Sequence, residues 1–205
     1  VLQLPDGRVL EQSLEIMHWA LEQHDPQRWL CHQEQEQACA LIALNDGRFK
    51  QALDRYKYAS RHPERPPHIW RDEAVDLMLS PLNARLAGRL FLLRDTPSLV
   101  DMAIAPFVRQ FAAVDPGWFD SVPLGPLQAW TKRIVSSELF DSVMSKVTAW
   151  QPGDAETYFL KTAPCSSTAL GRFPSVSRSD AGHRARENKA GHCLETMPIE
   201  GRYQG

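Results

Sequence analysis

VLQLPDGRVLEQSLEIMHWAL, residues 1–21, is the stretch that decides how this chain of 205 residues begins to fold. Two short apolar runs flank Pro5-Asp6-Gly7, and an Asp-Gly pair between such runs is a strong signal for a β-hairpin. Ile16, Trp19 and Ala20 then fall at helical spacing. The stretch therefore predicts a strand, a tight turn, a second strand and a helix.

A polar pair, Gln12-Ser13, lies where the second strand passes into this helix. The first turn of a helix has backbone N–H groups without intrahelical partners, and such groups bind carboxylates. The Ser13 hydroxyl can also accept a hydrogen bond from an N–H two or three residues later, as a helix cap. The pair indicates either a carboxylate-binding site or an ordinary cap, and caps are the commoner of the two.

A second motif lies in the stretch Thr96 to Ala105, where Ser98-x-x-Asp101 precedes an apolar run. This is the spacing of a capping box, in which Ser98 caps the helix and Asp101 reaches back to the free N–H at its start. Ser98 and Asp101 are therefore predicted to be structural residues.

The chain between and after these motifs has helical periodicity. The pattern predicts a helix that ends at Asn45-Asp46-Gly47 and a long helix that Pro81 kinks or breaks. Pro106 predicts a bend in the capped helix. The predicted helices cover residues 34–44, 48–61, 69–93, 98–114, 124–136 and 137–147.

Residues 9–21 resemble the end of the thioredoxin-like half of glutathione S-transferases, bacterial members included, and the Ser98–Asp101 box resembles a folding motif of their helical half. The resemblance extends over residues 1–154. It implies a mostly α fold, with a hairpin and helix remnant of the glutathione-binding domain at residues 1–30 and an all-helical C-terminal domain at 31–154. Residues 155–205 have few apolar residues and no periodicity, so we expect a disordered tail there.

The resemblance also implies a site. In that family the residues at the positions of Gln12 and Ser13 hold the γ-glutamyl end of glutathione, the co-substrate. Tyr58 lies on the helix that lines the electrophile pocket, whereas Tyr56 is expected in the core. The residue that activates the thiol is expected upstream of Val1, so we expect a truncated family member with impaired activity and leave its catalytic residue unassigned.

The composition and sequence pattern exclude several classes of ligand and partner. A formal net charge of −2 gives no electrostatic case for nucleic acid. No apolar run approaches the length of about 20 residues that spans a membrane, and no signal peptide is visible, so a cytoplasmic protein is expected. The spacing of the cysteines fits no zinc signature, so no metal site is predicted. The cysteines are Cys31, Cys39, Cys165 and Cys193.

Three hypotheses about function remain open. The first is a homodimeric glutathione transferase that passes the thiol of glutathione to a small electrophile or a disulfide. The second is a non-catalytic module of the same fold, kept for protein association. The third is a truncated gene product without function.

Overall fold

The computed structural model describes residues 1–144, 146, 148–149 and 151–155. The chain begins with an antiparallel hairpin of strands β1 (Leu2–Gln3) and β2 (Val9–Leu10), in which residue 2 pairs with residue 10. Gly7 in the turn has a φ of +86°, a left-handed conformation that glycine adopts without steric cost. The predicted hairpin is therefore present, although each strand has only two residues.

Nine α-helices make up most of the remaining described residues. They are α1 (Ser13–Gln23), α2 (Gln35–Leu44), α3 (Lys50–Lys57), α4 (Pro67–Ala74), α5 (Ser80–Arg85), α6 (Leu99–Val114), α7 (Pro116–Ser121), α8 (Gly125–Val135) and α9 (Glu138–Val143). A π-helical segment (Asn45–Phe49) joins α2 to α3, and a second (Val75–Leu79) joins α4 to α5. A short 3₁₀ turn covers Ala59–Arg61.

The predicted end of a helix at Asn45-Asp46-Gly47 is wrong, because the chain continues through these residues in the first π-helical segment. Asn45 is fully buried, and its side-chain amide donates to the Asp46 carboxylate at 2.8 Å. Gly47 does not adopt the left-handed conformation with which glycine ends a helix. The extra residue of the π turn accommodates the sequence without a break.

The helix predicted from residue 69 to 93 begins at Pro67 and ends at Arg85, about two turns early. Gly88, with a φ of +79°, lies just beyond its end, as is typical of a helix C-terminus. Pro81 lies in the first turn of α5, directly after the second π-helical segment. The predicted disturbance at Pro81 therefore takes the form of a π turn rather than a break.

The second half of the fold follows the predicted helices more closely. Helix α6 begins after Ser98 and continues through Pro106 to Val114. Helix α7, which the sequence analysis missed, has Pro116 at its start, where the missing N–H of proline has no cost. Helix α9 ends four residues before its predicted end at 147.

The hydrophobic core lies among α2 to α8. Phe111 is at its centre, with ring centroids 5.2 Å from Tyr56, 6.0 Å from Trp118 and 6.3 Å from Phe49. The largest fully buried side chains are those of Trp130, Phe49, Phe111, Leu53, Met78, Leu79, Leu82, Leu92, Ile104, Leu127, Val100 and Val108.

The predicted fold class, mostly α with a short hairpin at its start, is confirmed. The predicted tail, 155–205, lies outside the described residues except for Ala155. Among the described residues, no helix has both the length and the apolar character that a membrane crossing requires.

Candidate functional site

The first candidate site is the start of α1. Gln12 is the N-cap residue, with extended backbone angles, and Ser13 is the first residue of the helix. Both side chains are exposed. The N–H groups at the start of an α-helix lack intrahelical partners, and among the described residues the Ser13 hydroxyl has no hydrogen-bond partner either. Ser13 therefore presents a hydroxyl and a backbone N–H to solvent.

Glu15 places a negative charge beside this pair. Its Oε2 accepts hydrogen bonds from the backbone N–H of Gln12 at 3.0 Å and of Glu11 at 3.1 Å. Gln12 and Glu15 form a capping box, so the cap of α1 is Gln12 and not Ser13. The Glu15 carboxylate thus already accepts hydrogen bonds from two of the backbone N–H groups beside this helix start.

The structure does not bring Tyr58 together with Gln12 and Ser13 in a cleft that the described residues form. Four clefts of about 430 to 610 Å³ lie among the described residues, and Gln12, Ser13 and Tyr58 line none of them. Tyr58 ends α3 and is 39% exposed, with Lys57 Nζ 5.0 Å and the Arg61 guanidinium 4.9 Å from its ring centroid. Its ring therefore orders two cations on the surface.

Tyr56 lies in the core, with 7% of its surface exposed. Burial raises the pKa of its hydroxyl, and the nearby Asp115 carboxylate raises it further. A hydroxyl in this environment stays protonated and is held against Phe111.

Ser98 and Asp101 form a fully buried network at the start of α6. Asp101 Oδ2 accepts from the Ser98 hydroxyl at 2.6 Å and from the Ser98 N–H at 2.9 Å. Its Oδ1 accepts from the Leu92 N–H and from the Trp130 Nε1–H, both at 2.9 Å. One carboxylate therefore joins α6, α8 and the segment after α5, which a local capping box does not predict.

A cavity of about 440 Å³, which no sequence motif indicates, lies between α1, α2 and the start of α6. Its polar lining includes His18, Glu22, Cys31 and His32. Burial lowers the pKa of His18, Glu22 raises it and His32 lowers it. Burial raises the pKa of the Cys31 thiol, whose Sγ donates to the Trp29 carbonyl at 3.4 Å, so this thiol is not an activated nucleophile.

The histidines could not be found from the sequence because His18 and His32 belong to different elements and follow no motif. No group of three or more His, Cys, Asp or Glu side chains within the part of the chain that the structure describes is arranged to hold a metal ion.

Comparison with known protein families gives a match in the helical part of the chain. Residues 50–133, from α3 to α8, match the family described as glutathione S-transferase, C-terminal domain. No curated protein and no solved structure matches the chain. The matched range contains the Ser98–Asp101 box and most of the core, whereas α1 lies outside it. The match supports the family resemblance in the sequence over residues 50–133, and this part of the chain is similar to a glutathione S-transferase C-terminal domain.

Proposed function

We propose that this protein binds glutathione through its γ-glutamyl end at the start of α1, and that it serves the transfer of the glutathione thiol to a small electrophile or disulfide. The observation that carries the proposal is the exposed Ser13, which offers a hydroxyl and a backbone N–H at a helix start. The match of residues 50–133 to a glutathione S-transferase C-terminal domain supports glutathione as the ligand.

The charges at this helix start define how the ligand would bind. Because Glu15 takes the N–H groups of Glu11 and Gln12, the glutamyl carboxylate would bind at Ser13 and the N–H of Leu14. The glutamyl ammonium would then lie towards the Glu15 carboxylate and the Gln12 amide. A zwitterionic ligand end fits this arrangement better than a simple anion does.

The proposal assigns glutathione binding, but not activation of its thiol, to the described residues. Tyr56 is buried in the core with a raised pKa, and the ring of Tyr58 lies against two surface cations. Neither lines a cleft with Ser13, so neither is proposed as the catalyst.

Calorimetric titration of the full chain tests the proposal. Glutathione should bind, and cysteinylglycine, which lacks the γ-glutamyl group, should not. Ser13→Ala should weaken glutathione binding about tenfold, since it removes a hydrogen bond to a charged group. Ser60→Ala, another exposed serine, is the matched control and should leave the affinity unchanged. Equal affinity for both ligands, or no effect of Ser13→Ala, would overturn the proposal.

A second candidate function is a non-catalytic interaction module. Neither Gln12 nor Ser13 lines a described cleft, and Leu4 is the only buried residue among residues 1–30. Absence of glutathione binding together with capture of a stable partner would favour this function.

Homodimer formation and a cytoplasmic location are further proposals that follow from the family. Sedimentation velocity of the full chain at several concentrations tests the first, and a monomer at all of them would overturn it. Cell fractionation tests the second.

A further inference from the structure

The cavity between α1, α2 and the start of α6 separates residues 1–23 from much of the core. Leu14 is the only apolar side chain of this stretch that packs against the core. The buried Leu4 is not part of the core, and His18 and Glu22 of α1 line the cavity instead. The hairpin and α1 are therefore joined to the helical region by a narrow contact, and this contact contains an imidazole.

The loop between α1 and α2 is tied to the helical region at several points. The Trp29 carbonyl accepts a hydrogen bond from the Leu99 N–H at 2.9 Å, and the Arg94 guanidinium donates to the Arg28 carbonyl. Arg94 Nη1 also lies 3.9 Å from the Glu34 carboxylate. These contacts hold the loop in place, so α1 can leave the cavity while the loop stays attached.

His18 shares the cavity with a second imidazole, that of His32 in the loop. The start of α6 contributes only apolar side chains to the lining, those of Leu99 and Val100. The other titratable side chains of the lining are Glu22 on α1, Cys31 in the loop and Cys39 on α2. A proton on His18 therefore adds a positive charge to a half-buried site beside a second group that can also become positive.

Protonation of His18 costs more while α1 lies in the cavity than after it has left. Burial is the largest cause of the lowered pKa of His18, and His32 lowers this pKa further. Both effects end when α1 moves away from the loop and from α2. Glu22 raises the pKa, but it lies four residues from His18 on the same helix, so its attraction persists in the detached helix. Acid therefore favours the arrangement in which α1 is detached.

We propose that the hairpin and α1 form an acid-released unit: in mild acid, residues 1–23 detach from the helical region about the loop that follows α1, while the core stays folded. Protonation of His18 drives the release, and His32 adds repulsion once both imidazoles are charged. No histidine among the described residues belongs to the core, so the helical region has no matching response.

Hydrogen exchange followed by mass spectrometry tests the release in the full chain. Protection factors are measured at pH 7.5 and pH 5.0, each relative to the intrinsic exchange rate at that pH. Protection of α1 should fall several-fold at pH 5.0, whereas protection of α6 and α8 should stay unchanged. His18→Gln should remove the fall, because glutamine does not titrate, and His32→Gln should reduce it.

His24→Gln is the matched control, because His24 is exposed directly after α1 and does not line the cavity. It should leave the fall in protection unchanged. The proposal is overturned if α1 keeps its protection at pH 5.0 or if α6 and α8 lose theirs to the same extent. It is also overturned if neither His18→Gln nor His32→Gln reduces the fall more than His24→Gln does. Exchange is measured without glutathione, so these outcomes are independent of binding at Ser13.

Discussion

Residues 1–30 and the helical region that follows differ sharply in how they are held. Among residues 1–30 only Leu4 is buried, and α1 contributes no buried residue. The helical region contains the core around Phe111 and Trp130. An isolated two-stranded hairpin is marginal in water. The helical region therefore carries the stability of the described chain, and the proposed glutathione contacts lie in the part that adds little to it.

The same capping motif shows this difference at the level of single side chains. At α1 the acidic residue of the box is Glu15, which is half-buried beside the exposed Gln12. At α6 it is Asp101, which is fully buried and accepts four hydrogen bonds. An exposed box leaves its helix start open to a ligand, whereas a buried one is committed to the fold.

The largest expected effect comes from Asp101→Asn. The amide keeps the shape of the carboxylate but replaces one acceptor oxygen with a donor, so two buried donors lose their acceptor. We expect the free energy of unfolding to fall by about 4 kcal/mol, which denaturant titration would measure. The corresponding change at the exposed box, Glu15→Gln, should cost less than about 1 kcal/mol. Equal losses would remove the contrast between the two boxes.

A pair of Leu→Ala substitutions compares the packing of the two regions directly. Leu127 is fully buried in α8, and Leu14 in α1 is partly buried. We expect Leu127→Ala to lower the free energy of unfolding by about 3 kcal/mol and Leu14→Ala by about 1 kcal/mol. A loss at Leu14 as large as that at Leu127 would show that α1 is a full part of the core.

What the sequence could predict differs between the regions for a physical reason. The hairpin and the start of α6 depend on local signals, Asp6-Gly7 and Ser98-x-x-Asp101, and both were predicted. The bonds from Leu92 and Trp130 to Asp101 join residues 9 and 29 positions apart, so no local pattern reveals them.

The first π-helical segment and the candidate sites show the same limit. Asn45-Asp46-Gly47 is typical of a helix end, but burial of Asn45 in the core overrides that preference. The roles of Gln12, Ser13 and Tyr58 came from a family resemblance and not from a local pattern of residues, and they stay predictions. The cavity between α1 and α2 depends on tertiary packing and could not be predicted.

A smaller effect is expected for the cap of α6 itself. Ser98→Ala removes a buried hydroxyl that donates to Asp101 at 2.6 Å, so the loss should be about 2 kcal/mol, above the 1 kcal/mol of an ordinary cap. Ser137→Ala, at the partly exposed cap of α9, should cost about 1 kcal/mol. Thermal or denaturant unfolding of both variants would measure the difference in the free energy of unfolding. A larger loss for Ser137→Ala than for Ser98→Ala would show that burial does not strengthen the cap.

The smallest expected effect is a dependence of stability on pH at the contact between α1 and α2. Burial lowers the pKa of His18 in the folded protein below the ordinary 6.5 and is the largest of the causes. His32 lowers this pKa further. The unfolded chain therefore binds the proton more readily, and the neutral imidazole's contribution to stability is fully present above pH 6.5. It is lost as the pH falls from 6.5 through the lowered pKa.

Denaturant titrations between pH 5 and pH 7.5 measure how steeply the free energy of unfolding changes with pH. His18→Gln should reduce this slope. Glu22→Gln removes the group that raises the pKa of His18, so it should extend the slope to lower pH. If His18→Gln leaves the slope unchanged, the surroundings of this imidazole in the folded protein do not shift its pKa from that in the unfolded chain. The contact between α1 and α2 would then be as weakly packed as the rest of residues 1–30.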